Sequence, residues 1–202
     1  MTRSQTTFAA AAGMVVVVMA GVAGYSIAIR SEAWRTSKAE TATITNTSTV
    51  SNSTIEQGSA TKDATESLLL YLIEEEKLAH DVYTKMYELY GAKVFGNILA
   101  SEQTHQSRVL TLLEARNIAD PRSSELGIFR NQELQTLYDQ LIVQGRQSAL
   151  EAYKVGVAIE EKDIADINTQ LATATDTDVV RTLEDLRRGS ENHLRAFNRQ
   201  LR

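Results

Sequence analysis

Pro121 is the only proline of the chain, and its isolation constrains the fold more than any other single feature. A proline inside a helix removes a backbone donor and clashes with the preceding turn, at about 3 kcal/mol. Long stretches without one are free to be helical, and beyond residue 63 the apolar residues keep a helical beat. Leu69, Leu72, Glu76, Ala79, Tyr83, Met86 and Tyr90 recur in steps of three and four, the spacing of one helix face. Phe95, Ile98, Glu102, His105, Val109 and Leu112 repeat the pattern, as do Val179, Leu183, Leu186, Ser190, His193, Phe197 and Leu201. The expectation is an all-α fold: four long amphipathic helices joined as a four-helix bundle, with a short extra helix in the long connection.

Local signals set the expected limits. Asp63 and Glu66 have the spacing of a capping box for the first helix, and Gly91 suits a left-handed C-terminal cap. The second helix is expected over about 94–116, the short one over 132–144 before Gly145, the third long one over 147–171, and the last from a cap around Thr177. The run "NIADPRSSELGIF" reads as a loop.

The N-terminal part is of another kind. From Phe8 to Ile29 (residues 8–29) the chain is apolar and uncharged, long enough to cross a bilayer as a helix. Residues 1–40 are therefore either a membrane anchor with its flanks or a secretory signal, for which Ser26-Ile27-Ala28 offers a small-x-small cleavage pattern. Residues 41–62 are rich in Ser, Thr and Asn and read as a linker or stalk. They hold two acceptor sequons, Asn46-Thr47-Ser48 and Asn52-Ser53-Thr54, so residues 63–202 are expected to lie outside the cytoplasm, anchored to the membrane or secreted after cleavage.

A net charge of −5 without a basic stripe argues against nucleic acid as a partner. The absence of cysteine excludes disulfides, thiolate nucleophiles and iron–sulfur clusters, so a metal would have to be held by nitrogen and oxygen.

Glu76, Glu102, His105 and His193 stand on the inward seams, near the middle of their helices, where an unpartnered polar group is costly. On the third long helix Glu160 and Asp163 are again three apart, and Ala152 and Gly156 suggest close packing beside them. Residues at i and i+3 point to the same side, so the four carboxylates and two imidazoles converge, and four negative charges would balance two divalent ions. The plain alternative is a set of buried Glu–His contacts with no ligand. Glu74, Glu75 and Glu161 are expected on solvated faces, with Glu75 replacing Glu76 if the helical phase is shifted by one. His80 sits beside the seam, and Tyr83, Tyr87 and Tyr90 read as core or as an electron-transfer tyrosine among them.

"EEEKLAHDVY", "SEQTHQSRVLTLLE", "GIFRNQELQTLYDQL", "IEEKDIADI" and "GSENHLRAF" resemble the ferritin-like superfamily, and more closely an uncharacterised prokaryotic member of it, domain-of-unknown-function family 2202. The resemblance implies a carboxylate-held pair of iron or manganese ions that oxidises Fe(II) or reduces dioxygen or peroxide. On it, Glu102 and His105 match the Glu-x-x-His of the second helix, Glu76 or Glu75 the acid of the first, Glu160 that of the third, and His193 the histidine of the fourth. Ser190 departs from the pattern, standing where the fourth helix would carry Glu, and Asp163 is the residue that would compensate. Without cysteines a rubredoxin-like donor cannot be built in, so electrons would come from an external donor or from iron itself. The competing expectation is a surface-anchored structural or interaction module whose metal site has degenerated.

Overall fold

The computed structural model describes residues 53–202, with side chains from residue 62 onward. The apolar segment at 8–29, both sequon asparagines and the linker up to residue 52 lie outside the described residues. Five helices and no strand make up the described part: α1 (Ser53–Tyr90), α2 (Lys93–Ala115), α3 (Gln132–Gly145), α4 (Ala149–Leu171) and α5 (Thr177–Gln200). None of these helices is long and apolar enough to cross a membrane.

The four long helices pack in a ring. Helix α1 lies against α2 and α4, and α5 against α2 and α4, while the diagonal pairs meet only through core side chains such as Tyr83 with Phe197 and Phe95 with Tyr153; α3 packs on α1 and α4. Helix α1 starts at Ser53, ten residues before the expected cap, so Asp63 lies inside the helix and caps nothing. Nucleation is the costly step in helix formation and extension is cheap. Ile55, Glu56, Gln57, Ala60 and Lys62 tolerate extension, and only Gly58 weighs clearly against it.

The other ends follow local chemistry. Gly91, at φ +61°, donates its backbone N–H to the Tyr87 carbonyl at 2.8 Å and closes α1. Asn131 caps α3 by accepting from Glu133 N at 2.9 Å and Leu134 N at 3.2 Å, and Ser148 caps α4 by accepting from Glu151 N at 3.1 Å.

The core divides in two. Tyr83, Met86, Phe95, Ile98, Val155 and Phe197 belong to one apolar cluster, and Leu69, Leu72, Val109, Leu113, Ile167 and Leu183 to the other. Each fully buried side chain of this size contributes about 1.5–3 kcal/mol. At Gly156 a Cβ would come within 2.6 Å of the Phe197 ring, so α4 and α5 approach closely there. Every long helix crosses from one apolar cluster to the other, and at each crossing its buried residues turn polar.

Candidate metal centre

The polar layer between the two apolar clusters contains Glu76 from α1, Glu102 and His105 from α2, Glu160 and Asp163 from α4, and Ser190 and His193 from α5, all buried. Their seam positions put them at one depth, and the antiparallel runs of the helices bring the depths together.

Two triads result. Glu76, Glu102 and His105 offer ligand atoms that lie within 4.8 Å of one another, and so do Glu102, Glu160 and His193. Glu102 belongs to both. Its Oε2 lies 3.3 Å from His105 Nδ1, and its Oε1 lies 2.9 Å from His193 Nδ1. His105 Nδ1 is also 3.0 Å from Glu76 Oε2, and His193 Nδ1 is 3.5 Å from Glu160 Oε1. The two imidazoles stack at 5.5 Å between centroids.

The His105–Glu76 contact is a hydrogen bond, but proximity in the rest of the cluster is not. Both oxygens of Glu102, Oε2 of Glu160 and Nδ1 of His193 are buried and have no hydrogen-bond partner. His193 Nδ1 and Glu102 Oε1 are close, yet the ring N–H direction does not meet the oxygen. Buried polar atoms are ordinarily paired, and leaving a charged one unpaired costs more than the 1–3 kcal/mol of a neutral group. Converging lone pairs around a shared carboxylate are what a pair of divalent cations requires.

The protonation pattern follows from the crowding. Burial raises Glu76 to about 8, against the pull of His105, and raises Glu160 to about 7. Asp163 is pushed well above the usual carboxylate range by burial and by the charges of Glu75 and Glu160. Burial also works against an ionised Glu102, but the imidazoles of His105 and His193 beside it outweigh burial and hold it at about 2. The imidazoles themselves resist burial through Glu102 and its neighbours, with His105 raised to about 10 and His193 to about 9. Without cations, the cluster is neutralised by protons.

Asp163 lies in this layer but in neither triad. Ser190 turns its hydroxyl back to its own helix and donates to the Leu186 carbonyl at 3.3 Å. Tyr83 is fully buried and donates to Glu160 Oε1 at 2.6 Å, while Tyr90 donates to the Gly145 carbonyl at 2.8 Å and Tyr87 is exposed. His80 is half-buried with Nδ1 3.1 Å from Asp81 Oδ1, outside both triads.

Two expectations need correction. Glu161 is exposed as expected, but Glu74 and Glu75 are buried, not solvated. The amphipathic reading assumes one wet face, whereas α1 is covered by α2, α3, α4 and the 117–131 loop. Glu74 accepts from the backbone N–H groups of Arg130 at 2.7 Å and Asn131 at 2.9 Å. Glu75 is ion-paired with Lys162, which also donates to Tyr71 at 2.7 Å and Asp166 at 2.6 Å. Lys77 and Asp81, buried as a pair, carry no sequence signal beyond their i,i+4 spacing.

A family model described as "Uncharacterized protein domain (DUF2202)" matches residues 65–202. "Uncharacterized protein MJ0754" of Methanocaldococcus jannaschii is 42% identical over 134 residues, covering 66% of this chain and 72% of that protein. The crystal structure of hypothetical protein MJ0754 from Methanococcus jannaschii DSM 2661 superposes with a TM-score of 0.66 at 42% identity, covering 67% of this chain and 78% of that one.

Proposed function

The chain belongs to the DUF2202 family of uncharacterized domains, and from that premise we propose that its bundle is ferritin-like, holds two iron or manganese ions, and oxidises Fe(II) or reduces dioxygen or peroxide. The observation that carries this reading is Glu102, buried and without a hydrogen-bond partner on either oxygen, standing between two histidines. Glu102 would bridge, His105 with Glu76 would hold one ion, and His193 with Glu160 the other. Asp163 would supply the fourth negative charge that balances two dications.

A pair of iron or manganese ions held by these residues would supply redox chemistry, with one electron from each ion for a two-electron reduction of dioxygen or peroxide. The chain's own residues set the surroundings. The two apolar clusters keep water from both ends of the site, and the Tyr83 hydroxyl fixes Glu160 through its 2.6 Å hydrogen bond. With no cysteine in the chain, electrons for a further turnover would come from an external donor or from fresh Fe(II). The same reading retains residues 8–29 as an anchor that presents the bundle outside the cytoplasm, or as a signal whose cleavage releases it.

Ser190 favours a second reading, a structural or interaction module with a degenerate site, because its hydroxyl is spent on its own helix. Metal content after anaerobic reconstitution with Fe(II) separates the two. About two ions per chain, lost in a Glu102→Ala/His105→Ala control, supports the first reading, with oxygen or peroxide consumption distinguishing turnover from passive binding. No ion above the control leaves the structural module.

A further inference from the structure

Helix α5 carries one glycine, Gly189, at a mid-helix position where glycine is disfavoured relative to alanine. The reason lies across the seam on α2. A Cβ at Gly189 would stand 2.3 Å from His105 Nε2 and 2.5 Å from its Cε1, where real Cβ contacts essentially never fall below 3.0 Å. The imidazole edge thus occupies the place of the missing side chain.

That ring has little freedom to retreat. It is 6% exposed, its Nδ1 is 3.0 Å from Glu76 Oε2 and 3.3 Å from Glu102 Oε2, and its face stacks on His193. Displacing α5 instead would carry His193, one turn beyond Gly189, away from Glu102. Gly96 makes the contrast: a Cβ there would meet the ring of Tyr87 at 3.0 Å, and Tyr87 is exposed and able to swing aside.

We propose that Gly189 is a positioning residue of the metal centre. Its missing side chain seats the His105 imidazole, and a single added methyl group dislodges that ring from the Glu76–Glu102–His105 triad. The inference rests on the two-ion reading above and names a determinant of it that is not itself a ligand.

The test uses the full-length chain in detergent, loaded anaerobically with Fe(II), as wild type, Gly189→Ala and Gly96→Ala. The expected result is two ions for wild type and for Gly96→Ala and at most one for Gly189→Ala. The metal-free proteins give a second readout: the ring-nitrogen NMR signals of His105 shift in Gly189→Ala and stay in place in Gly96→Ala. Two ions bound to Gly189→Ala at wild-type affinity, or an unmoved His105 signal, overturns the inference and leaves the two-ion reading intact. No ion in the wild type overturns both. Should Gly189→Ala not fold, Gly189→Ala/His105→Ala is expected to recover the fold, and its failure to do so would place the need for glycine in the backbone and overturn the inference.

Discussion

Helix α1 buries polar residues on two sides, and the sides are finished differently. Towards the 117–131 loop, Glu74 accepts two backbone N–H groups, and Asp81 accepts from Lys77, from Gly127 N at 2.8 Å and from His80. Lys77 also donates to the Glu125 carbonyl at 3.0 Å and lies 4.6 Å above the Phe129 ring. Towards the bundle axis, Glu76 joins a cluster in which both oxygens of Glu102, one of Glu160 and a nitrogen of His193 have no partner. Both sets pay the cost of leaving water, and the second recovers only part of it within the protein, through the Glu76–His105 and Tyr83–Glu160 hydrogen bonds. On the two-ion reading proposed above, the polarity left open on convergent atoms is where the cations would sit.

The largest expected effect falls on the open side. Glu102→Ala removes the carboxylate common to both triads, so metal content drops from two ions per chain to none, measured by elemental analysis of the reconstituted protein; a variant that keeps one tightly held ion breaks the bridging assignment. On the closed side the loss is of stability. Asp81→Ala strips three donors of their acceptor and leaves the Lys77 ammonium buried beside an empty position, an expected cost of about 3 kcal/mol in urea unfolding. Metal content of Asp81→Ala stays at two ions, and a loss of both stability and metal would show that the two sides are one network.

The contrast also explains what could be seen in the sequence. The limits of α2, α3 and α4 and the start of α5 were legible to within about two residues, because the apolar period and Gly145 are signals each helix carries by itself, although the Ser148 cap of α4 fell inside the stretch expected to be helical. The burial of Glu76, Glu102, His105, Glu160, Asp163 and His193 was legible for the same reason, as polar residues at matching depth, whereas the place of Asp163 outside both triads was not. The start of α1 was not, because extension of a formed helix needs no cap to announce it. Glu74, Glu75, Lys77 and Asp81 were misread or passed over because their burial depends on where the 117–131 loop and Lys162 settle, which no local pattern encodes. Gly189 was invisible because its contribution is the space it leaves for a residue on another helix.

The protons held by the open cluster give opposite pH slopes to its two states. Glu76, Glu160 and Asp163 have folded pKa values above the ordinary carboxylate value, and His105 and His193 have theirs above the ordinary imidazole value. A group whose pKa rises on folding contributes stability that is full below its unfolded pKa and is lost as pH climbs through the folded one. Metal-free protein is therefore expected to lose thermal stability between about pH 5 and pH 10. Glu102, lowered on folding, adds a contribution that disappears only under strong acid. The affinity for Mn(II) should rise over the same window, since each ion displaces protons that become scarcer. Parallel melting curves and Mn(II) titrations from about pH 6 to pH 8.5 check both slopes, and a metal-free melting temperature that rises with pH would contradict the cluster's protonation.

The smallest effect is expected where the pairing is most visible. Arg108 and Asp185 form an ion pair across the α2–α5 seam, with side chains 47% and 25% exposed. Coulomb attraction between exposed charges is screened by water and salt and offset by the ordering of two long side chains, so Arg108→Ala should cost less than about 1 kcal/mol, and less still at high salt. Its metal content should remain at two ions. A larger cost or a lost ion would mean that this surface pair holds α5 at the distance His105 requires. On the proposal made for Gly189, that distance is set inside the seam: an exposed ion pair can be replaced by two hydrated ions, whereas a ring held on one side by two carboxylates has no room for a methyl group on the other.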